Sequence, residues 1–471
     1  MLEISLDQES PLSWPHQIYR QIRSAVMAGG LRNGDSLPPA GELARRLTVP
    51  EESVGTAYAW MGAEGVLECR NGAPARIRTG ARGEHRAGEP VAPLGFWADL
   101  PRPPSRLNAT PAHDFRAGVP DTRLFPTDTW LRLLTEETAA MPPRLLVYDD
   151  PRGNADLRAS IAARLRRSRG LEAGAAEVLV TNGAQQAVHL AARVLLRPGD
   201  RVAVENPGYP PARQLFTSLG AEPVGVRVDA QGLVVDEIPD DCRLVHVTPA
   251  HQFPLGTAMS LRRKLELLEW ARRRGAAIVE DDYDSELKFT ERPLEPLHSL
   301  CPDGRVVYVG SFSKVMLPML RLGFLVAPPA LMPALAKARY LTDVCTPSVE
   351  QAALARFLAG GGFAAHLRGL LAEYGARREL LTDVLTRDFG DVLTLVPSEA
   401  GLHVTARAEH DMWPLVQAAR RAGIWLYSLG DFTDPPNSAH GLLFGYTAMP
   451  AGAIEAGLRK LRGIHDRKGR K

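Results

Sequence analysis

Lysine is scarce in this chain, seven in 471 residues, so chemistry that needs a primary amine has few places to go. Cysteine is scarcer still. Cys69, Cys242, Cys301 and Cys345 lie far apart, with no Cys-x-x-Cys pair and no histidine cluster at ligand spacing, which argues against a disulfide framework or structural zinc. No metal is expected. Net charge is also nearly absent: 56 basic against 54 acidic residues leave +2, so the whole molecule has no bias toward nucleic acid or anionic lipid. The start, MLEISLDQES, lacks the basic-then-apolar pattern of a leader, and no apolar run reaches the ~18 residues that span a bilayer. No membrane partner is expected, and a reducing cytoplasm is the expected location.

What is present is ordinary globular composition, 45% hydrophobic and 23% charged, enough for a sizeable core and more than one domain. Between Thr79 and Asp114 the sequence becomes rich in Pro and Gly and loses helical period, as a linker does. The expected organisation is therefore a small module over residues 1–79, a linker over 80–113, a large domain over 114–340 and a smaller C-terminal lobe over 341–471.

In the first module Ile18, Ile22 and Val26, then Leu43 and Leu47, then Val54, Tyr58 and Met61 recur at three- and four-residue steps, the pattern of three short amphipathic helices. Val66 to Ala73 suggests two short strands around Asn71-Gly72. Three helices and a hairpin describe a winged helix-turn-helix. Beyond Tyr148, apolar runs such as 178–180, 202–204, 244–247, 277–279, 306–309 and 323–326 alternate with helical patterns over 185–196 and 261–274. That alternation predicts an α/β fold with a largely parallel sheet, followed after Tyr340 by a mixed α+β lobe.

Of the lysines, Lys264 and Lys337 fall in helical patterns, Lys460, Lys468 and Lys471 in a basic tail, and Lys288 in a charged run. Lys314 alone follows an apolar strand, VVYVG, through the small turn Ser311-Phe312-Ser313, with Arg321 seven residues on. A surface lysine after a strand has the same look. Hydroxyls, an amine and a fixed cation in that order also suit a phosphorylated carbonyl cofactor. Three further segments favour it. Ile278-Val279-Glu280-Asp281-Asp282-Tyr283-Asp284 runs a strand into acids and a phenol; a carboxylate can hold a pyridine nitrogen protonated, although acids at strand ends also bind Mg²⁺. Thr181-Asn182-Gly183-Ala184-Gln185 closes a strand and opens a helix, offering free N–H groups to an anion. Asn206-Pro207-Gly208-Tyr209 delivers an aromatic from a turn.

Together with HDFRAGVPDTRLFP, YDDPRGNADLR, TPAHQFPLGTAMSLRRKLELLEWA and HLRGLLAEYGARR, these segments resemble fold type I enzymes of pyridoxal 5'-phosphate (PLP). Specifically they resemble the MocR/GabR family, in which a GntR-type winged helix precedes an aminotransferase-like domain. The resemblance implies PLP as cofactor, with Lys314 as the Schiff-base and catalytic lysine, Asp281 at the pyridine nitrogen and Tyr283 at the ring hydroxyl. It implies Tyr209 stacked on the ring and Ala184, Gln185, Ser311, Ser313 and Arg321 around the phosphate. Tyr148 would reach the phosphate of a neighbouring subunit, making a homodimer with shared active sites the functional unit. Two departures concern the amino-bearing ligand: Leu442-Leu443-Phe444-Gly445-Tyr446 lacks the arginine that similar proteins place there to clamp a carboxylate, and Pro210-Pro211 stands where a GABA-responsive relative has an arginine.

The small module departs as well. Residues 1–80 hold eight arginines, no lysine and nine acids, whereas DNA affinity rests on cations meeting phosphates. The family's usual Pro-Ser-Ser-Arg is here Pro38-Pro39-Ala40-Gly41, its Val-Ser-Arg is Val49-Pro50-Glu51, and no basic residue lies between Glu51 and Gly62. Arg45, Arg46, Arg70 and Arg76, with Arg78, are the remaining candidates for DNA contact. The expectation drawn from this balance is an aminotransferase-like PLP enzyme acting on an amino-bearing small molecule, by transamination, elimination or decarboxylation. The alternative is a PLP-dependent, DNA-binding transcription regulator.

Overall fold

The computed structural model describes residues 4–69, 74–78, 92–101, 111–140, 149–290 and 295–469. The chain forms two compact units, residues 1–94 and 95–471.

The first unit contains helices α1 (Trp14–Met27), α2 (Ala40–Leu47) and α3 (Glu51–Ala63) and strands β1 (Ser36–Leu37), β2 (Leu67–Glu68) and β3 (Ala75–Ile77) in the order β1-β3-β2. Ile18, Ile22, Leu43, Val54, Tyr58 and Met61 are all buried in one core, so the helical spacing read from sequence is the packed face. This is a winged helix-turn-helix arrangement. The wing differs from the expected hairpin: its second strand starts at Ala75, beyond the Val66 to Ala73 stretch, and β1 adds a third strand that two residues of sequence could not announce. Asn71 and Gly72 lie outside the described residues.

In the second unit an eight-stranded sheet has β4 (Val178–Thr181) at one edge, then β11 (Gly323–Val326), β10 (Val306–Ser311), β9 (Ala277–Asp282), β8 (Cys242–Val247), β5 (Arg201–Asn206), β6 (Glu222–Asp229) and β7 (Gly232–Leu233). The five central strands from β10 to β6 are parallel; β11, β4 and β7 run antiparallel to their neighbours. Helices cover both faces, which is why Val306, Val307, Tyr308 and Val309 are buried consecutively rather than alternately. A smaller four-stranded antiparallel sheet carries His403–Arg407 and Gly441–Gly445 beside the 28-residue helix Gly362–Phe389.

Of the stretch read as a linker, residues 80–91 and 102–110 lie outside the described ones; a short helix, Phe96–Asp99, occupies part of the remainder. His113–Asp114 then pairs in parallel with Ile424–Trp425, so the chain enters its large unit by way of the small lobe. Among the described residues no helix is long and apolar enough to cross a membrane, and no group of His, Cys, Asp and Glu could hold a metal ion.

Glu280 on β9 is fully buried, and its two oxygens accept the Leu297 and His298 backbone N–H groups at 2.9 Å each. Burial nevertheless pushes its pKa from 4.5 up to about 7. A carboxyl whose folded pKa lies above its unfolded one adds stability below pH 4.5 and loses it as pH rises toward 7. Unfolding titrations of the wild type and Glu280→Gln should therefore show the wild type's advantage shrinking by about 2 kcal/mol between about pH 5.5 and pH 8. A difference independent of pH would contradict the assignment.

Candidate functional site

The carboxyl ends of the parallel strands, where ligands gather in open α/β sheets, surround a cleft of roughly 830 Å³. Nine of the ten residues expected to bind a cofactor line it; the tenth, Tyr148, lies outside the described residues. Lys314 sits just past β10. Its Nζ donates to the Gly118 carbonyl at 2.9 Å, and Gly118 has φ +78, where a Cβ would stand 2.9 Å from that nitrogen. Burial lowers the Lys314 pKa, with Arg321 adding to the effect and Asp284 and Asp281 opposing it, so the uncharged, nucleophilic amine is favoured relative to a free lysine.

Asp281, near the end of β9, is buried, and its Oδ1 has no hydrogen-bond partner among the described residues. His246 Nε2, equally unpartnered, stands 3.6 Å from Oδ2, too far for a hydrogen bond. A buried carboxylate oxygen left without a donor is costly; a protonated ring nitrogen would satisfy it. Tyr283 Oη and Asp284 Oδ2 each lie 2.8 Å from His251 Nδ1, and that nitrogen can serve only one of them at a time. The Tyr283 phenol is held well above its usual pKa by burial and by the carboxylates around it. Tyr209 is 40% exposed and meets Phe253 edge to face at 5.7 Å.

At the other end of the cleft, Ala184 and Gln185 begin the helix Ala184–Leu195. Arg321, itself at φ +51, donates from Nη2 to the Asn182 carbonyl at 2.7 Å. Gly183 fits between them at φ +84; a Cβ there would lie 2.8 Å from the Arg321 guanidinium. The Ser311 hydroxyl accepts the Ser313 N–H at 3.1 Å. Helix N–H groups, two serines and a guanidinium converging on one spot form an anion cradle. An orphaned acid at one end and an anion cradle at the other, with an amine between them, fit PLP.

Asp284, the last of the acids read from sequence, stands with His251 behind Tyr283; sequence did not single out His251, Gly118 against the lysine, or Phe253, His403, Tyr427 and Phe432 on the walls. His251 sits inside the quoted TPAHQFPLG segment, which was the available signal. Phe253 shares that segment and Gly118 lies in HDFRAGVPDTRLFP, whereas His403, Tyr427 and Phe432 come from distant segments and carried no signal.

Fold and site together define a fold type I aminotransferase-type domain that uses PLP. The model for "Aminotransferase class I and II" matches residues 114–433. The α-aminoadipate aminotransferase LysN of Thermus thermophilus, solved with N-(5'-phosphopyridoxyl)-L-leucine, superposes with a TM-score of 0.69 at 27% identity, over 75% of this chain and 92% of that one. Over nearly the full length the chain is similar to the probable rhizopine catabolism regulatory protein MocR of Rhizobium meliloti, 34% identical over 97% of this chain and 94% of the relative. It is also similar to the pyridoxine biosynthesis transcriptional regulator PdxR of Corynebacterium glutamicum, 33% identical over 94% of each. The chain belongs to the MocR/GabR family, a GntR-type winged helix-turn-helix joined to an aminotransferase-like PLP domain.

In the first unit Arg45, Arg46 and Arg76 are exposed, and Arg70 lies outside the described residues. Arg46 is paired with Glu42 at 2.5 Å and Arg78 with Glu68 at 2.6 Å. Glu51 and Glu52 stand exposed at the start of α3.

Proposed function

We propose that the protein is a PLP-dependent transcription regulator in which the aminotransferase-like cleft senses an amine. The observation that carries this reading is the reach of the similarity: the regulators match through both units, whereas the aminotransferase LysN covers 75% of the chain. The enzyme reading, favoured by charge alone, has one specific support. Two exposed acids open α3, no cation lies on it, and two of the nearby arginines are already paired. Band-shift titration with the upstream DNA at fixed moderate salt, beside turnover assays with amines, separates the two. A specific shift with at most one turnover supports the regulator; multiple turnover without a specific shift supports the enzyme.

In the cleft, Lys314 is the residue that bonds to PLP, Asp281 pairs with the ring nitrogen, Tyr283 meets the ring hydroxyl and Tyr209 covers the ring face. When bound, PLP supplies an aldehyde that takes up amines and a ring that draws electrons from them. Lys314, set free by an incoming amine, is placed to hold or return a proton as general base or acid. Ala184, Gln185, Ser311, Ser313 and Arg321 hold the phosphate. Gly183→Ala, which forces a side chain against Arg321 and strains the turn, should weaken PLP binding about tenfold in an absorbance titration; an unchanged Kd would remove Arg321 from the cradle.

A homodimer is part of the same proposal. Met319 is 78% exposed beside Pro318 of the cleft wall, and Tyr340 and Leu341 are 55% and 70% exposed. The helix bearing the latter two is tied through Asp343 to Asn182 and Gln186 at the phosphate end. Large apolar side chains left bare at that edge favour a subunit contact there.

A further inference from the structure

The mouth of the cleft has a charge pattern that the cofactor does not use. Among the described residues lining it, the cations are Lys314 and Arg321, the first at the reactive centre and the second tied to the Asn182 carbonyl at the phosphate end. His403 is no third cation: burial, together with neighbouring His251, pushes its pKa down to about 3, and its Nε2 lies 2.9 Å from the Pro254 carbonyl. The guanidinium groups on flanking segments are committed elsewhere. Arg116, next to the lining Ala117, forks onto Asp114, and Arg213, on the helix after Tyr209, pairs with Asp434 through Nη1 while its Nη2 is buried beside Gly225 and does not line the cleft. Among the described residues that line the cleft, no cation is left over for a ligand carboxylate at the mouth.

What the mouth does offer is the opposite. Asp431 lines it with one oxygen accepting the Ser428 N–H at 3.0 Å, while the other takes no hydrogen bond from the described residues. Four aromatic rings line the same cleft, meeting one another at near right angles. Phe253 meets Phe432 at 5.0 Å and Tyr209 at 5.7 Å, and Phe432 meets Tyr427 at 5.6 Å. Ring faces and a carboxylate in one pocket attract a cation and repel an anion.

We propose, resting on the reading that Lys314 holds PLP here, that the cleft recognises a primary amine whose far end is a second cation rather than a carboxylate, seated between Phe253, Phe432 and Asp431. The amine that meets the cofactor is common to every ligand of such a site. The far end sets the choice, because the residues that face it differ in charge from those a carboxylate needs.

The test uses the full-length protein carrying PLP and three amines of one length: 1,4-diaminobutane, butylamine and 4-aminobutanoate. Each is titrated against the visible band of the bound cofactor, and half-saturation is checked by ligand-dependent melting. The diamine is expected to half-saturate about tenfold below butylamine, with 4-aminobutanoate weakest. In Asp431→Asn the diamine's advantage should fall to about threefold or less, and Asp431→Glu, which keeps the charge, should restore most of it. Tightest binding of 4-aminobutanoate, an advantage that survives Asp431→Asn, or no response to any amine would overturn the inference and leave the cofactor reading standing. Absence of a visible band before any amine is added would overturn both.

Discussion

Lys314→Ala will yield a colourless protein that no longer retains PLP through gel filtration. The cleft offers no substitute, since Lys314 is the sole lysine among the described residues lining it. Lys264, buried in the large unit, donates to the Glu295 carbonyl and does not line the cleft, nor does the half-buried Lys288. Losing the covalent link leaves only the phosphate cradle and the ring contacts, and equilibrium affinity should drop about a hundredfold or more. The fold should persist, because in the free protein the lysine makes one hydrogen bond, to Gly118, worth only about 1 kcal/mol. Circular dichroism and melting of the cofactor-free variant against the cofactor-free wild type check that point. A yellow Lys314→Ala protein would mean that another amine holds the aldehyde, and the roles given to Asp281, Tyr283 and Arg321 would have to be redrawn around it.

That the lysine could be picked out from sequence follows from scarcity and local order: few candidates, and one directly after a strand and a pair of serines. The strand–helix alternation was legible for the same reason, since β9 and β10 are buried on both faces and write continuous apolar runs. What lay hidden was set by long-range contact. His113–Asp114 joins the small lobe because its partner, Ile424–Trp425, lies some three hundred residues on, and two-residue strands leave no period to read. His251 lies between Tyr283 and Asp284, and Phe253 against Tyr209 and Phe432, only once four segments converge. The balance between regulator and enzyme was unreadable for a different reason. Charge counts describe the first unit by itself, whereas a relation to regulators over the whole chain bears on how both units are used.

The position of Asp281 and Tyr283 depends in turn on a buried ion pair one residue away. Arg169 ends the helix Ala155–Arg169 and is paired with Asp282, the last residue of β9; their side chains are 4% and 5% exposed. Tyr308 on β10 donates to Asp282 Oδ2 at 2.5 Å, and the Ser285 N–H reaches Oδ1 at 3.2 Å. Helix, two strands and the following turn therefore meet on one carboxylate. A guanidinium does not surrender its proton, so Asp282→Asn strands a cation in a dry interior. The expected cost is about 3–5 kcal/mol, seen as a fall of roughly 5–15 °C in the melting temperature of the large unit. PLP affinity should fall with it, because the turn that carries Tyr283 and Asp284 loses its anchor. Replacing both partners, as Arg169→Met with Asp282→Leu, should recover most of the stability, since packed apolar groups tolerate such a site better than an unpaired charge. If Asp282→Asn melts within about 1 °C of the wild type, the pair does not anchor the strand end, and the placement of Asp281 must come from the sheet alone.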